Sequence, residues 1–149
     1  MVSVAAIGRK IGRVSWRRIA LKKSGFQFTD PHVQDLEFHV NEEFDESKFE
    51  GFQIRSEVSN AVIEADRRAF VRLKLTIGEF GETTPFVCTI VMEAKFEVEE
   101  PVATDFFEDL LSVNAPALLM SYARPIIALI TQQGGFPSFH LPFMNFTEE

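Results

Sequence analysis

The sequence predicts an α+β fold: an antiparallel β-meander forming one sheet, with a single main, proline-kinked helix packed on it. Two observations carry this. Between residues 36 and 98 the chain alternates apolar and polar residues in separate runs, each with one apolar side. After Pro101 the period changes, and Leu118, Leu119, Tyr122, Ile126, Leu129 and Ile130 form a helical stripe. At 149 residues the chain makes one domain, able to bury about 70% of its unfolded surface.

The elements follow in order. Val4, Ile7, Ile11 and Val14 stand at helical spacing among Arg9, Lys10 and Arg13, so residues 1–15 read as a basic helical extension, weakened by two glycines. Residues 16–149 form the domain proper. Trp16 to Phe28 reads as a strand whose parity changes near Ser24 and Gly25, the mark of a bulge or break. After an Asp30-Pro31 turn, Leu36, Phe38 and Val40 alternate with Glu37, His39 and Asn41. Residues 41–51 are acidic, carry Phe44 and Phe49, and read as a loop. Phe52, Ile54 and Val58 resume the alternation, and Val71, Leu73, Leu75 and Ile77 form the next strand. Gly78–Thr84 turns the chain into the longest run: Phe86, Cys88, Ile90, Met92, Ala94, Phe96 and Val98. Asp105 to Leu111 gives a turn or two of helix. Asn114 is the expected N-cap of the main helix, with Pro116 just inside, Pro125 as the kink and Gly134 as the C-cap.

Composition narrows the function. Sixteen phenylalanines stand beside one tryptophan and one tyrosine. Phenylalanine needs no polar partner when buried, so the excess points to a Phe-rich core or to a surface that takes apolar partners. Seven of the 15 basic residues precede the first acid, Asp30; the other eight face 22 acidic residues. Such a body repels nucleic acid and anionic membrane, which leaves neither as a partner of the domain. The basic start suits one of those or an acidic patch on a partner. The lone Cys88 excludes an internal disulfide, fits a reducing cytoplasm, and falls where a small buried apolar residue is expected. The apolar run from Ala115 to Ile130 is broken by Arg124 and Pro125 and is short for a membrane span; no signal-peptide pattern opens the chain. His32, His39 and His140 lack metal-ligand spacing, and a charged turn and a helix start account for Glu99, Glu100, Asp105, Glu108 and Asp109. No nucleophile-elbow, phosphate-loop or CxxC motif is present. The expectation is a protein that is not an enzyme and holds no cofactor or metal.

The stretch APALLMSYARPIIALITQQGGFPSFHLPFMNF, residues 115 to 146, resembles the SecB protein-export chaperones. The shared pattern falls on Pro116, Tyr122-Ala123-Arg124, Gly134, Phe136-Pro137, Leu141 and Asn145-Phe146, without a gap. GETTPFVC, residues 81 to 88, looks like that family's turn into its last strand, and Arg18-Ile19 like its first strand. The resemblance implies a cytoplasmic, ATP-independent homo-oligomer, a dimer or tetramer, that holds unfolded polypeptide clients in an apolar groove. It also implies that the segment after the main helix returns in extended form along the protein body, with Phe136, Phe139 and Phe146 packed there. The second strand and the loop after it would line the groove, which nominates Leu36, Phe38, Val40, Phe44, Phe49 and Phe52. Leu36, Phe38 and Val40 serve equally as core beneath the helix. Subunit contacts would come from Cys88, Ile90, Met92, Leu118 and Tyr122, for which burial within one subunit is the other reading.

The departures bear on partners. Export members meet the translocase motor SecA through acidic residues on the first and last strands; the matching positions here are Lys23, Gln27 and Thr89, none acidic. The covering C-terminal helix of the family is missing, and the segment before Val71 is long enough for an extra hairpin. SecB-like chaperones attached to toxin–antitoxin systems are similar in carrying a helix ahead of the first strand, which adds an antitoxin to the expected clients. The alternative is a dedicated interaction protein on the same scaffold, binding one folded partner.

Overall fold

The computed structural model describes residues 12–147. The expected basic helix therefore lies mostly outside the described residues, and residues 12–24 carry no regular secondary structure. Trp16 to Leu21, expected in a strand, pair with nothing and stand exposed. Alternation alone does not make a strand without a neighbour to complete the ladder. Pairing starts where the parity changes: the Glu99 amide donates to the Gly25 carbonyl at 3.1 Å, and β1 runs Phe26–Val40.

The expected Asp30-Pro31 turn is instead an irregularity inside β1. Thr29 pairs with Lys95 and His32 with Glu93, so the register slips between them, while Asp30 adopts φ 53°. Proline is tolerated there because β1 is an edge strand and owes no amide to the ladder at that point. β2 (Ile54–Glu64), β3 (Arg68–Ile77) and β4 (Phe86–Val98) form the meander. The sheet order is β1-β4-β3-β2, all antiparallel, with β1 on the far side of β4.

Register puts the apolar residues of β3 and β4 on one face. Cys88 lies opposite Ile77, Ile90 opposite Leu75, Met92 opposite Leu73, Ala94 opposite Val71 and Phe96 opposite Ala69. Every one of these is at most 2% exposed. The helix covers that face with a ridge at four-residue spacing: Leu111, Ala115, Leu119, Ala123, Ile127 and Thr131, all buried. The two alanines let the helix axis approach the sheet closely.

The helical region is continuous from Thr104 to Gln133. α1 (Thr104–Asp109) passes through a π turn at Leu110–Asn114 into α2 (Ala115–Gln133). Asn114 is thus not an N-cap: it has helical φ and ψ, and its side chain caps nothing. The Ala115 amide reaches back to the Leu110 carbonyl, and burial of Leu110 and Leu111 holds the earlier turn in line. Joined this way, the helix is long and apolar enough by length and composition to cross a membrane, yet its apolar ridge is spent on the sheet. α2 runs through Pro125 without a break.

Gly134 is the C-cap, and the left-handed residue is its neighbour Gly135, at φ 89°. The Gly135 amide donates to Gln132 and the Phe136 amide to Thr131, the paired bonds of a Schellman end. The chain then returns along α2. The Phe139 amide donates to the Thr131 hydroxyl at 2.9 Å, Arg124 donates to the Pro142 carbonyl at 3.1 Å, and Leu141 is buried. The phenylalanines at this end thereby fasten an extended segment to the body.

Gly78 is the most constrained residue of the turn before β4. Its φ is 78°, and a Cβ there would lie 2.3 Å from the Phe86 carbonyl oxygen and 2.9 Å from the Thr84 hydroxyl. Gly78→Ala is expected to destabilise the fold by about 2–4 kcal/mol, left-handed strain plus backbone overlap. A urea melt beside Gly81→Ala checks it: Gly81 also has positive φ but open space, so only the strain remains there.

Candidate functional site

The loop between β1 and β2 is tied down at its base. The Asn41 side-chain amide donates to the Glu79 and Thr84 carbonyls, both at 2.8 Å, and its backbone amide to Pro85 at 2.9 Å. Buried Thr84 accepts from the Glu79 amide at 3.0 Å and donates to the Phe86 carbonyl at 3.1 Å. Further out, the Asp45 amide donates to Glu82, and Lys48 pairs with the Glu82 carboxylate. Asp45 caps a short 3-10 turn, Glu46–Lys48; the Ser47 hydroxyl and amide hold its carboxyl below the usual range. These contacts fix where Phe44 and Phe49 point.

The result is a chain of aromatic rings. Phe44 meets Phe49 at 6.0 Å between centroids, Phe49 meets Phe52 at 5.3 Å, and Phe52 meets Phe86 at 4.7 Å. Phe86 also touches Phe38 at 5.4 Å and Phe136 at 5.1 Å, while Phe139 stands on Phe52 at 5.0 Å. Mostly edge-on or tilted, these contacts suit the ring quadrupoles. Leu36 and Val40 share the face of Phe38 on β1, since they lie opposite Ile90 and Phe86 as Phe38 lies opposite Cys88. All six nominated groove residues therefore sit at one end of the helix-bearing face. Leu36, Val40 and Phe49 are 38%, 52% and 41% exposed, and Phe38, Phe44 and Phe52 are half-buried. Leu36, Phe38 and Val40, expected either as core beneath the helix or as groove, stand on the edge strand β1, partly open to water.

The five nominated interface residues divide. Cys88, Ile90 and Met92 are spent on the chain's own core and have no surface to offer a second chain. Leu118 is half-buried, and Tyr122 is 40% exposed, its ring edge-on to Phe28 at 5.8 Å. Burial pushes the Cys88 thiol up to about 11, so it stays protonated at neutral pH and is a poor nucleophile. Cys88 is expected to resist a soluble thiol reagent in the native state and to react promptly in denaturant, a contrast that a colorimetric thiol assay reads directly. Among the described residues, no group of three or more histidine, cysteine or acidic side chains comes together as metal ligands.

Two parts of this site were not nominated from the sequence. Phe86 is the hub of the ring contacts, and Asn41 with Thr84 is the anchor of the loop. Phe86 stood out only as one apolar residue of a strand, and nothing local marks Asn41.

A four-stranded antiparallel sheet with one helical layer and a partly open aromatic end defines a SecB-like scaffold. The chain belongs to the SecB family: the family's sequence model, described as preprotein translocase subunit SecB, matches residues 22–148. The protein-export protein SecB of Acidithiobacillus ferrooxidans is 32% identical over 77 residues, 51% of each chain. The Wolbachia protein of the same name is 26% identical over 116 residues, 75% of this chain and 68% of that one. By the first of these the chain spans about half the length of a curated relative it matches. Among solved structures, the Mycobacterium tuberculosis Rv1957 SecB-like chaperone, in complex with a ChAD peptide from the Rv1956 HigA1 antitoxin, superposes with a TM-score of 0.59 at 14% identity. That superposition covers 80% of this chain and 90% of the other.

Proposed function

We propose that the protein is a cytoplasmic, ATP-independent molecular chaperone that holds unfolded or pre-export polypeptide on the apolar surface of Leu36, Phe38, Val40, Phe44, Phe49 and Phe52. The observation that carries this is the aromatic chain itself: phenylalanines half open to water, yet fixed from below by Phe86 and at the loop base by Asn41. An exposed apolar patch of this kind is a hazard unless it binds something. Apolar contact tolerates many client sequences, and ring positions set in advance reduce the ordering cost of binding. The acidic body keeps such a surface soluble. Family membership supports the same reading, and the Mycobacterium neighbour, which carries an antitoxin peptide, supports an antitoxin as one kind of client.

The protein works as a homo-oligomer, with Tyr122 and Leu118 the nominated residues that still have surface to contribute. SecA is the less supported partner. Gln27 and Thr89 lie on the sheet face away from the helix, and neither is acidic, although Glu37, opposite Thr89, puts a carboxylate beside that position. The same departure favours the alternative of a dedicated interaction protein binding one folded partner.

Calorimetric titration with a permanently unfolded polypeptide tests the main reading. Micromolar or tighter binding (about −8 kcal/mol), with slowed aggregation of a denatured substrate at stoichiometric protein, is the expected result. No affinity for any unfolded chain, together with capture of one folded protein, would establish the alternative instead.

A further inference from the structure

The segment ahead of β1 has no place on its own chain. Residues 12–24 contain Arg13, Arg17, Arg18, Lys22 and Lys23 and no acid. Between these bases stand Val14, Trp16, Ile19 and Leu21, each 62–95% exposed. Most of this arm precedes the part of the chain that matches the family, which begins at residue 22. Four large apolar side chains within eight residues, all open to water, mark a segment that gains by being covered.

The opposite chemistry lies at the end of the molecule from which the arm leaves. A cleft of about 960 Å³ opens between the far end of β2 and the helical segment from Thr104 to Asn114, with Phe146 at its side. Val62, Phe107, Leu111 and Val113 line it with apolar surface, and Asp66, Glu108 and Asp109 line it with carboxylates. From Glu99 to Ala123 the chain carries five acids and no base. Among the described residues, neither those three carboxylates nor the five bases of the arm have an ion-pair partner. The root of the arm, Ser24 and Gly25, sits beside Phe106 and Leu110 on the same helical segment. This end is opposite the aromatic surface, at the other tip of the strands.

We propose that residues 12–23 dock into the acidic cleft of a second copy of this chain, each copy lending its arm to the other. Charge matches charge, and Trp16, Ile19 and Leu21 match the apolar lining. The arm leaves beside β1 and the cleft opens beside β2, at opposite edges of the sheet, an arrangement that suits a cleft on a second copy. Twelve extended residues span about 40 Å, enough to cross a subunit boundary, and mutual exchange closes as a two-fold dimer. This inference is independent of the client reading, since it uses none of the aromatic surface.

The test is a disulfide formed in trans between full-length chains. One chain carries Ile19→Cys and a tag; the other carries Val113→Cys and a different tag; the two are co-expressed, purified and mildly oxidised. The expected product is a covalent dimer bearing both tags. Its yield should fall about tenfold, the worth of roughly 1.4 kcal/mol, when Arg17→Glu/Arg18→Glu is added to the arm chain. It should recover when Glu108→Arg/Asp109→Arg is also added to the cleft chain. All four charge changes lie at exposed positions, so the variants fold. A disulfide that forms only within a chain carrying both cysteines overturns the exchange in favour of fold-back. No disulfide in either arrangement overturns the docking altogether, even if the protein is oligomeric through another face. An arm that binds RNA or anionic vesicles in preference to a second copy does the same.

Discussion

Phe86→Ala is expected to cost about 3–5 kcal/mol of stability, the range for removing a buried phenylalanine. The ring is 2% exposed and touches Phe38, Phe52, Phe136 and Phe139. Those four come from β1, the entry to β2 and the returning C-terminal segment, so one side chain joins three pieces of chain that no strand ladder joins directly. The loss therefore has two parts, a cavity at the end of β4 and the loosening of the surface above it. Phe86→Leu, which keeps most of the volume and none of the ring contacts, should lose less, about 1–2 kcal/mol. Phe80→Ala is the control: Phe80 is 71% exposed, and its loss should stay within about 0.5 kcal/mol. Urea midpoints for the three variants decide the matter. A loss under 1 kcal/mol for Phe86→Ala would mean that the surrounding rings close over the gap and that Phe86 is not the keystone.

The parts of the fold legible in the sequence are those whose period is local. β3 and β4 alternate because one face is buried under the helix and the other is not. The helix is legible as an element, but its buried ridge is not: of the apolar stripe in the sequence only Leu119 is fully buried, Tyr122 and Leu129 stand exposed, and Ala115, Ala123, Ile127 and Thr131 meet the sheet instead. Where the period misled, the reason was a missing or unforeseen partner. Ile19 and Leu21 alternate like a strand but have no strand beside them. Asp30-Pro31 has turn chemistry, but pairing of β1 with β4 over its whole length absorbs it as a bulge. That pairing joins residues about sixty positions apart, which no local pattern reveals. Asn114 has cap chemistry, but the buried Leu110 and Leu111 keep the helix going before it. The site was half legible for the same reason. Phe44 and Phe49 stand out against an acidic loop, which a buried core would not tolerate. Cys88, Ile90 and Met92 suit either a core or a subunit contact, because a strand pattern says which face is apolar, not what covers it.

Phe44→Asp/Phe49→Asp is expected to weaken binding of a permanently unfolded polypeptide by at least tenfold while leaving the protein folded. Burying one phenylalanine ring at an interface is worth about 1.5–3 kcal/mol, so two rings replaced by carboxylates remove more than the 1.4 kcal/mol that a tenfold loss represents. The fold should survive because neither ring is buried among the sheet residues: Phe49 is 41% exposed, and Phe44 meets only Phe49 among its aromatic neighbours. The anchors of the loop, Asn41 and the Lys48–Glu82 pair, remain in place. Some stability is nevertheless lost through Phe52, so the urea midpoint is measured beside the affinity. Leu36→Asp/Val40→Asp separates the two halves of the surface, since those residues lie on β1, on either side of Phe38, and not in the loop. If both pairs weaken binding, the client lies across loop and strand together, in one continuous groove. If only the loop pair does, Leu36 and Val40 serve as the flank of the core. If neither does and affinity persists, the client sits elsewhere, and the aromatic chain is an internal brace for the returning C-terminal segment.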